Sequence, residues 1–382
     1  MTWGTAAVVL DREGVAALLG ALAEDRRVIG PCLKDGAITL GEIHGIEDLP
    51  AGWTDDQAPG RYRAVPREDG ALFGYAVGAR SWRAEVNEPR TVLVRIRRRE
   101  DDPFAVEAAD PADGVVPTAW IGVRGCDLAA LAISDRVFLD GEHPDPHYRA
   151  RREAPFIVAV DCGEPGGTCF CTSMGTGPAA EGDADLRLTE LCDESRHEFL
   201  CRAGTEAGQA VLDRLPSRPA VEADRSAAAA VVAEAADRMG RTLETDGLRE
   251  RLQAGLEDPH WDDVASRCLS CTNCTLVCPT CFCSTVEDVS DLTGTEATRT
   301  RVWDSCFTLD HSYLHGGSVR ATTAARYRQW LTHKLDTWWD QFGTAGCVGC
   351  GRCTTWCPVG IDITVEAAAI GRSAAVTDGG AR

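Results

Sequence analysis

No stretch of this 382-residue chain approaches the roughly 20 uninterrupted apolar residues that a membrane-spanning helix needs, so no helical membrane span is read. The first segment, MTWGTAAVVLDREGVAALLG, carries charges where a signal peptide needs an apolar core, which makes the cytoplasm the expected location. Positive charge is scarce too. Thirty-nine basic against 59 acidic residues leave a net charge of -20, which repels a phosphate backbone and argues against nucleic acid or a membrane as partner. Lys34 and Lys334 are the only lysines. Nucleotide fingerprints are missing: Gly346 to Gly351 (GCVGCG) lacks the last spacing of G-x-G-x-x-G, and no P-loop occurs. Met174 to Pro178 (MGTGP) reads either as a phosphate-binding nest or, more simply, as a tight turn. His311 and His315 lie one helical turn apart without an H-E-x-x-H frame and are assigned no role, and no residue is singled out as catalytic.

Cysteine, by contrast, is abundant. Eighteen cysteines in a chain without an export signal cannot form a disulfide framework in the reducing cytosol, so they read as metal ligands or redox groups. Cys268, Cys271, Cys274 and Cys278 follow C-x2-C-x2-C-x3-C before Pro279, and Cys347, Cys350, Cys353 and Cys357 repeat the pattern before Pro358. Three thiolates in one tight turn suit a cubane iron-sulfur cluster, whose fourth corner takes a distant cysteine. In two-cluster ferredoxins that ligand is the cysteine before Pro in the other motif. Cluster one then takes Cys268, Cys271, Cys274 and Cys357, and cluster two takes Cys347, Cys350, Cys353 and Cys278. Zinc, which favours separated cysteine pairs in a closed tetrahedron, does not match this spacing. Two [4Fe-4S] clusters are expected.

Of the other cysteines, Cys126 sits in the turn GVRGCD, and Cys162, Cys169 and Cys171 sit in a Gly-rich loop after another predicted strand. The four either hold a third cluster, with Asp127 as a substitute ligand, or are buried small hydrophobes. Cys281, Cys283 and Cys306 make a further group of three thiols, one short of a cubane set, which either lines a cluster environment or has another role. Cys32, Cys192 and Cys201 have no spacing logic and read as structural.

The length exceeds what one hydrophobic core usually organises, and 44% hydrophobic with 26% charged residues is the composition of a folded chain. Thr91 to Ile96, Ala119 to Val123 and Phe156 to Val160 read as strands, and Asp127 to Phe138 as a helix after a tight turn. The expected architecture is an α/β or α+β N-terminal docking domain (1–220), a helical connection (221–260) and a mainly helical dicluster ferredoxin domain (261–371). That last domain carries a helical insert (284–346), and a flexible tail (372–382) follows. Within the insert, Ala321 to Phe342 places Tyr327, Trp330, Leu331, Leu335, Trp338 and Trp339 largely on one helical face. His333 and Lys334 in the same segment either set positive charge beside an anionic cluster or lie on a solvated face.

IGVRGCDLAAL at Ile121 to Leu131, DCGEPGGTCFCTSMGTGP at Asp161 to Pro178, CLSCTNCTLVCPTCFC at Cys268 to Cys283 and GCVGCGRCTTWCPVGIDIT at Gly346 to Thr364 together resemble one family. It is that of the beta subunits of sulfhydrogenases, the cytoplasmic NADP-linked nickel-iron hydrogenases; the corresponding iron-sulfur subunit of anaerobic sulfite reductase is similar. The likeness runs from about residue 115 to 370. The ferredoxin motifs are widespread, whereas the GVRxCDL and CFCxSxGTGP pair is far narrower. That family usually has Pro where Gly125 stands, a change expected to loosen the turn. The resemblance implies an iron-sulfur electron-transfer subunit that links the small and large subunits of a nickel-iron hydrogenase to a flavin/NADP(H)-binding subunit. The alternatives are the equivalent subunit of a sulfite reductase and a freestanding ferredoxin-like carrier.

Overall fold

A computed structural model of the chain describes residues 7–102 and 104–371, so the expected flexible tail, 372–382, lies outside the described residues. The N-terminal part is built on an eight-stranded mixed sheet. Its spatial order is Arg218–Pro219, Ala7–Leu10, His197–Ala203, Leu186–Cys192, Pro155–Val160, Thr118–Val123, Arg27–Lys34 and Ala37–Glu42. The central strands, Leu186–Cys192 to Arg27–Lys34, run parallel, and those outside them are antiparallel. TAWIGV is buried throughout and PFIVAV almost so, because both faces of these strands are covered. Phe156, Val158 and Val160 face a core with Leu18, Leu19 and Leu22 of the helix Arg12–Ala23. Ile157 and Ala159 face another with Leu128 and Leu131 of the helix Gly125–Phe138, as the two-residue period of a strand requires.

Two neighbouring parallel strands, Thr118–Val123 and Pro155–Val160, release the cysteine-bearing loops from their C-terminal ends, the usual place for a site on a parallel sheet. Buried Arg124 ties these loops together. Its guanidinium donates to the carbonyls of Asp161 at 2.9 Å, Phe73 at 2.7 Å and Tyr75 at 3.1 Å. Asp161 accepts from the Ala180 amide at 2.7 Å and from Thr189 Oγ1 at 2.6 Å. The expectation that Gly125 loosens its turn is corrected by crowding at that position: a Cβ there would lie 2.2 Å from the carbonyl oxygen of Ala179. Glycine lets the helix start press against the Met174 to Pro178 turn. That turn is held by the Thr176 hydroxyl donating to the Val348 carbonyl at 2.6 Å, so its visible role is packing against the C-terminal part.

A second, antiparallel sheet has the order Ser284–Ser290, Glu296–Trp303, Arg90–Arg97 and Ala105–Ala108. This corrects the expectation of a helical insert over 284–346 in a mainly helical domain, since the first part of the insert is a β-hairpin that extends an N-terminal sheet. EATRTRVW alternates β-branched with polar residues over Thr298 to Val302, and STVEDVS adds Thr285, Val286 and Val289. Between them the Asp291 carboxylate accepts from the Thr295 amide at 2.8 Å, and Gly294 takes a left-handed turn conformation (φ 66°). The aromatic stretch is helical as expected, in three pieces: Thr323–Thr332, a wide π-turn His333–Thr337, and Trp338–Phe342. Tyr327, Trp330, Leu331, Leu335 and Trp338 are buried, but Trp339, expected on their face, is 43% exposed. The wide turn shifts the phase of the residues after it.

Candidate metal centre

The two cysteine motifs fold into matching turns. In the first, Ser270 and Thr272 adopt positive φ (51° and 69°), and in the second Gly349 and Gly351 occupy the corresponding places (64° and 73°). This conformation wraps the backbone inward and aims amides at sulfur. Ser270 N–H donates to Cys268 Sγ at 3.4 Å, and Gly349 N–H donates to Cys347 Sγ at the same distance. Why glycine serves only the second turn follows from packing. A Cβ on Gly349 would meet the Phe170 carbonyl at 2.5 Å, and one on Gly351 the Thr168 carbonyl at 2.5 Å. The second turn is therefore pressed against the cysteine loop of the N-terminal part, while the first, with exposed Cys271 and Leu269, faces outward.

The cysteine before Pro in each motif lies beside thiols of the other motif. Cys268, Cys271, Cys274, Cys353 and Cys357 line one pocket, with Phe307, Tyr327, Trp330 and Ile361 as its apolar wall. The Ile361 amide donates to Cys357 Sγ at 3.3 Å. Cys278, buried, lies among Cys347, Cys350 and Cys353, whose thiols interact with it electrostatically. Burial first, then like charge from neighbouring thiols, pushes Cys274 and Cys353 well above the ordinary thiol range. Such thiols become thiolates only when a metal takes the place of the proton. Among the described residues no three Cys, His, Asp or Glu side chains converge as a single metal ion requires. The all-sulfur donors and the apolar wall of the first pocket fit an iron-sulfur group.

The structure also brings Cys126, Cys162, Cys169 and Cys171 into one neighbourhood, beside Cys350. Cys169 feels the charge of Cys162, Cys171 and Cys350, and Cys126 that of Cys350 and Cys171, with burial the largest influence on each. Cys169 Sγ donates to the Cys350 carbonyl at 3.7 Å. Asp127 does not join this group as a free ligand. Its carboxylate accepts from Arg352 Nη2 at 2.9 Å and from the Arg124 amide at 3.3 Å. Cys201 is buried in the main core, as a structural thiol should be, while Cys32 packs half-buried against it and Cys192 donates to the Asp69 carbonyl at 3.3 Å.

Sequence reasoning left two parts of the centre open. Lys334, one of two lysines, is buried rather than solvated. Its ammonium donates to Thr280 Oγ1 at 3.2 Å and to the Gly346 carbonyl at 3.3 Å. Burial opposes its charge, but the thiols of Cys278, Cys281 and Cys347 more than offset that and raise its pKa well above the usual range. The other is the Cys283, Cys306 and His311 group, whose mutual electrostatic influence no linear motif announces. The His311 ring also pairs through Nδ1 with Asp304 Oδ2 at 2.9 Å, where Asp304 stands at the foot of the hairpin.

Comparison with known proteins agrees with this geometry. The 4Fe-4S dicluster domain family matches residues 267–361. Over 363 residues the chain is 30% identical to sulfhydrogenase 2 subunit beta of Pyrococcus furiosus, covering 93% of this chain and 95% of that protein. No solved structure matches the chain. Among the described residues no helix is long and apolar enough to cross a membrane.

Proposed function

The chain belongs to the family of sulfhydrogenase beta subunits, and from that premise we propose that it passes electrons between a nickel-iron hydrogenase module and a flavin/NADP(H)-binding subunit in the cytoplasm. The observation that carries the reading is the placement of Cys357 in one pocket with Cys268, Cys271 and Cys274, and of Cys278 among Cys347, Cys350 and Cys353. Cys268, Cys271, Cys274 and Cys357 hold one [4Fe-4S] cluster and Cys347, Cys350, Cys353 and Cys278 the other, while Cys126, Cys162, Cys169 and Cys171 hold a third. When bound, such clusters supply single-electron transfer. The residues set its direction in space: from the outward-facing Cys271, through the half-buried Cys353 that borders the first pocket, to Cys350 and the cysteine loop of the α/β part. Apolar walls and buried backbone donors keep water away and place N–H groups on sulfur, which tunes potential.

The test is to purify the tagged chain without oxygen from its native host, identify what accompanies it and assay hydrogen-dependent NADP reduction. That activity is expected, together with a nickel-iron subunit and a flavin subunit. A sirohaem partner or a lone chain would overturn the reading. Iron should be about 12 atoms per chain, falling to about 8 in Cys169→Ser, at four per cluster. A count near 8 that Cys169→Ser leaves unchanged would remove the third site.

Lys334 gives a second check. At an effective dielectric of about 20 and a separation on the order of 6 Å, one charge is worth about 3 kcal/mol. For a one-electron couple that is on the order of 100 mV. Lys334→Met removes a positive charge that favours the reduced state. The midpoint potential of the cluster at Cys347 should therefore fall by about that much in an EPR-monitored titration, with the other cluster shifting far less.

A further inference from the structure

We propose that the cleft between the helix Glu222–Asp237 and the strands Leu186–Cys192 and His197–Ala203 binds a small organic dianion, a phosphate ester or a dicarboxylate, with an apolar body. Such a site goes beyond electron transfer and does not depend on it. The cleft follows from the composition of the helix, EADRSAAAAVVAEAAD, which covers the sheet with small side chains. Ala228 joins Val9, Leu191 and Leu200 in a small core. Beside that core, Arg225, Ala229 and Val232, three or four residues apart along the helix, border an opening that alanine is too short to fill. Its volume is about 340 Å³, within the roughly 300–1,000 Å³ of small-molecule sites.

The sheet gives this opening its charge. Arg187 and Arg202 stand directly opposite each other on antiparallel strands, and both line the cleft. Like charges so placed destabilise a sheet unless negative charge lies close to them. The chain supplies that charge for Arg187: Nε and Nη2 lie 2.9 and 2.8 Å from Asp161 Oδ1, and Nη1 lies 2.7 Å from Glu181 Oε1. Asp161 is committed further, accepting from the Ala180 amide at 2.7 Å and from Thr189 Oγ1 at 2.6 Å, so it does not turn to the second arginine. Arg202, half-buried, meets no ion pair and no side-chain hydrogen bond among the described residues. Arg225 reaches only Glu222, at 3.9 Å and with the Glu222 side chain 85% exposed, a contact that solvent screens. Three guanidiniums thus face two carboxylates in one cleft of a chain whose net charge is -20, where acidic side chains outnumber basic ones.

The chemistry of the lining names the ligand class. Arg202 and Arg225 come from the sheet and from the helix, so together they can hold an oxyanion from two sides, each through paired N–H donors. Two such cations call for two negative charges. Leu200, Ala228, Ala229 and Val232 offer no side-chain hydrogen bond to whatever lies beside them, so the rest of the ligand is apolar. An acidic side chain of a partner subunit would satisfy the same arginines, and the intact complex separates that occupant from a small molecule.

The test is calorimetric titration of the full chain, prepared without oxygen, with phenyl phosphate, phenylmalonate and inorganic phosphate. Phenyl phosphate or phenylmalonate should bind with a dissociation constant of about 1 mM or tighter, and whichever is tighter identifies the head group. It should bind at least about 10-fold more tightly than inorganic phosphate, because the ring adds apolar contact. Arg202→Gln and Arg225→Gln should each weaken it about 10-fold, the effect of losing one charge-assisted hydrogen bond. Arg61→Gln, at an exposed pair with Asp56 outside the cleft, should leave it unchanged. Ala229→Leu, at an exposed helical position, should bring the aryl ligand down to the level of inorganic phosphate. An equal loss in Arg61→Gln, or no preference for the aryl ligands, would mean diffuse attraction to surface charge and would overturn the proposal. Binding of both aryl ligands weaker than about 10 mM would do the same. The complex purified from the native host should bind as the chain does; binding by the chain but not by the complex would make the cleft a docking surface and end the small-molecule reading. None of these titrations needs hydrogen or NADP, so a failure here leaves the electron-transfer reading standing, and a failure of that reading leaves this site standing.

Discussion

In Cys278→Ala, the iron lost should be that of the far motif. Cys278 belongs to the first motif in sequence, yet its thiol lies among Cys347, Cys350 and Cys353, and it is buried. Bulk water has no ready access, and the neighbouring Cys281 thiol is removed as well by Cys281→Ser so that it cannot take over the site. The expected loss is about four iron atoms per chain, at four per cluster. In a Cys169→Ser background, which empties the third site, the surviving centre can be identified by access. Cys271 is exposed and Leu269 beside it is 63% exposed, whereas Cys350 is buried. The remaining visible absorbance should therefore bleach quickly with a chelator under oxidising conditions, as the outward-facing site would. Survival of a slowly bleaching, shielded centre would mean that Cys278 serves its own motif and that the exchanged pairing is wrong. Cys357→Ala is the mirror experiment and should leave the shielded centre.

The eight motif cysteines were legible because ligand spacing is a local property: three thiols within one turn must point at a common centre wherever the turn sits. The strands Thr118–Val123 and Pro155–Val160 were legible for a similar reason, as short apolar runs that can be satisfied only in a covered sheet. What escaped depends on partners distant in sequence. The hairpin Ser284–Ser290 and Glu296–Trp303 pairs with Arg90–Arg97, and its outer strand is exposed along its whole length, so no apolar stripe marks it. Lys334 looks like any helical lysine until the fold places Cys278 and Cys347 around it. His311 lacked a motif because its partners are Asp304 in the same loop and Cys283 across the hairpin, an arrangement that exists only once the two strands pair. Asp127 was visible as a conspicuous acid next to Cys126, but its actual partner, Arg352, lies in the other half of the chain.

That partnership sets the largest stability effect expected of a single substitution. Asp127 and Arg352 meet at 2.9 Å with side chains 3% and 2% exposed. Arg352 Nε also donates to the Gly78 carbonyl at 2.8 Å, and Arg352 sits between Cys350 and Cys353. The pair therefore clamps the helix Gly125–Phe138 of the α/β part to the second cysteine turn. Asp127→Asn keeps the shape and removes one charge, leaving a buried guanidinium without its counter-ion, which costs about 3–5 kcal/mol. Against a typical total of about 5–15 kcal/mol, that should appear as a large fall in the denaturant midpoint of protein prepared without oxygen. Adding Arg352→Met to Asp127→Asn removes the stranded charge and should restore part of the loss, because an apolar replacement of a buried ion pair is often neutral. A ligand role for Asp127 gives a different pattern: iron would fall in Asp127→Asn and the second substitution would rescue nothing. Recovery in the double variant, with iron intact in the folded protein, therefore separates a clamp from a ligand. It would also show why the α/β part and the second turn fold as partners, since the charge that holds the helix in place comes from a residue set between two cluster thiols.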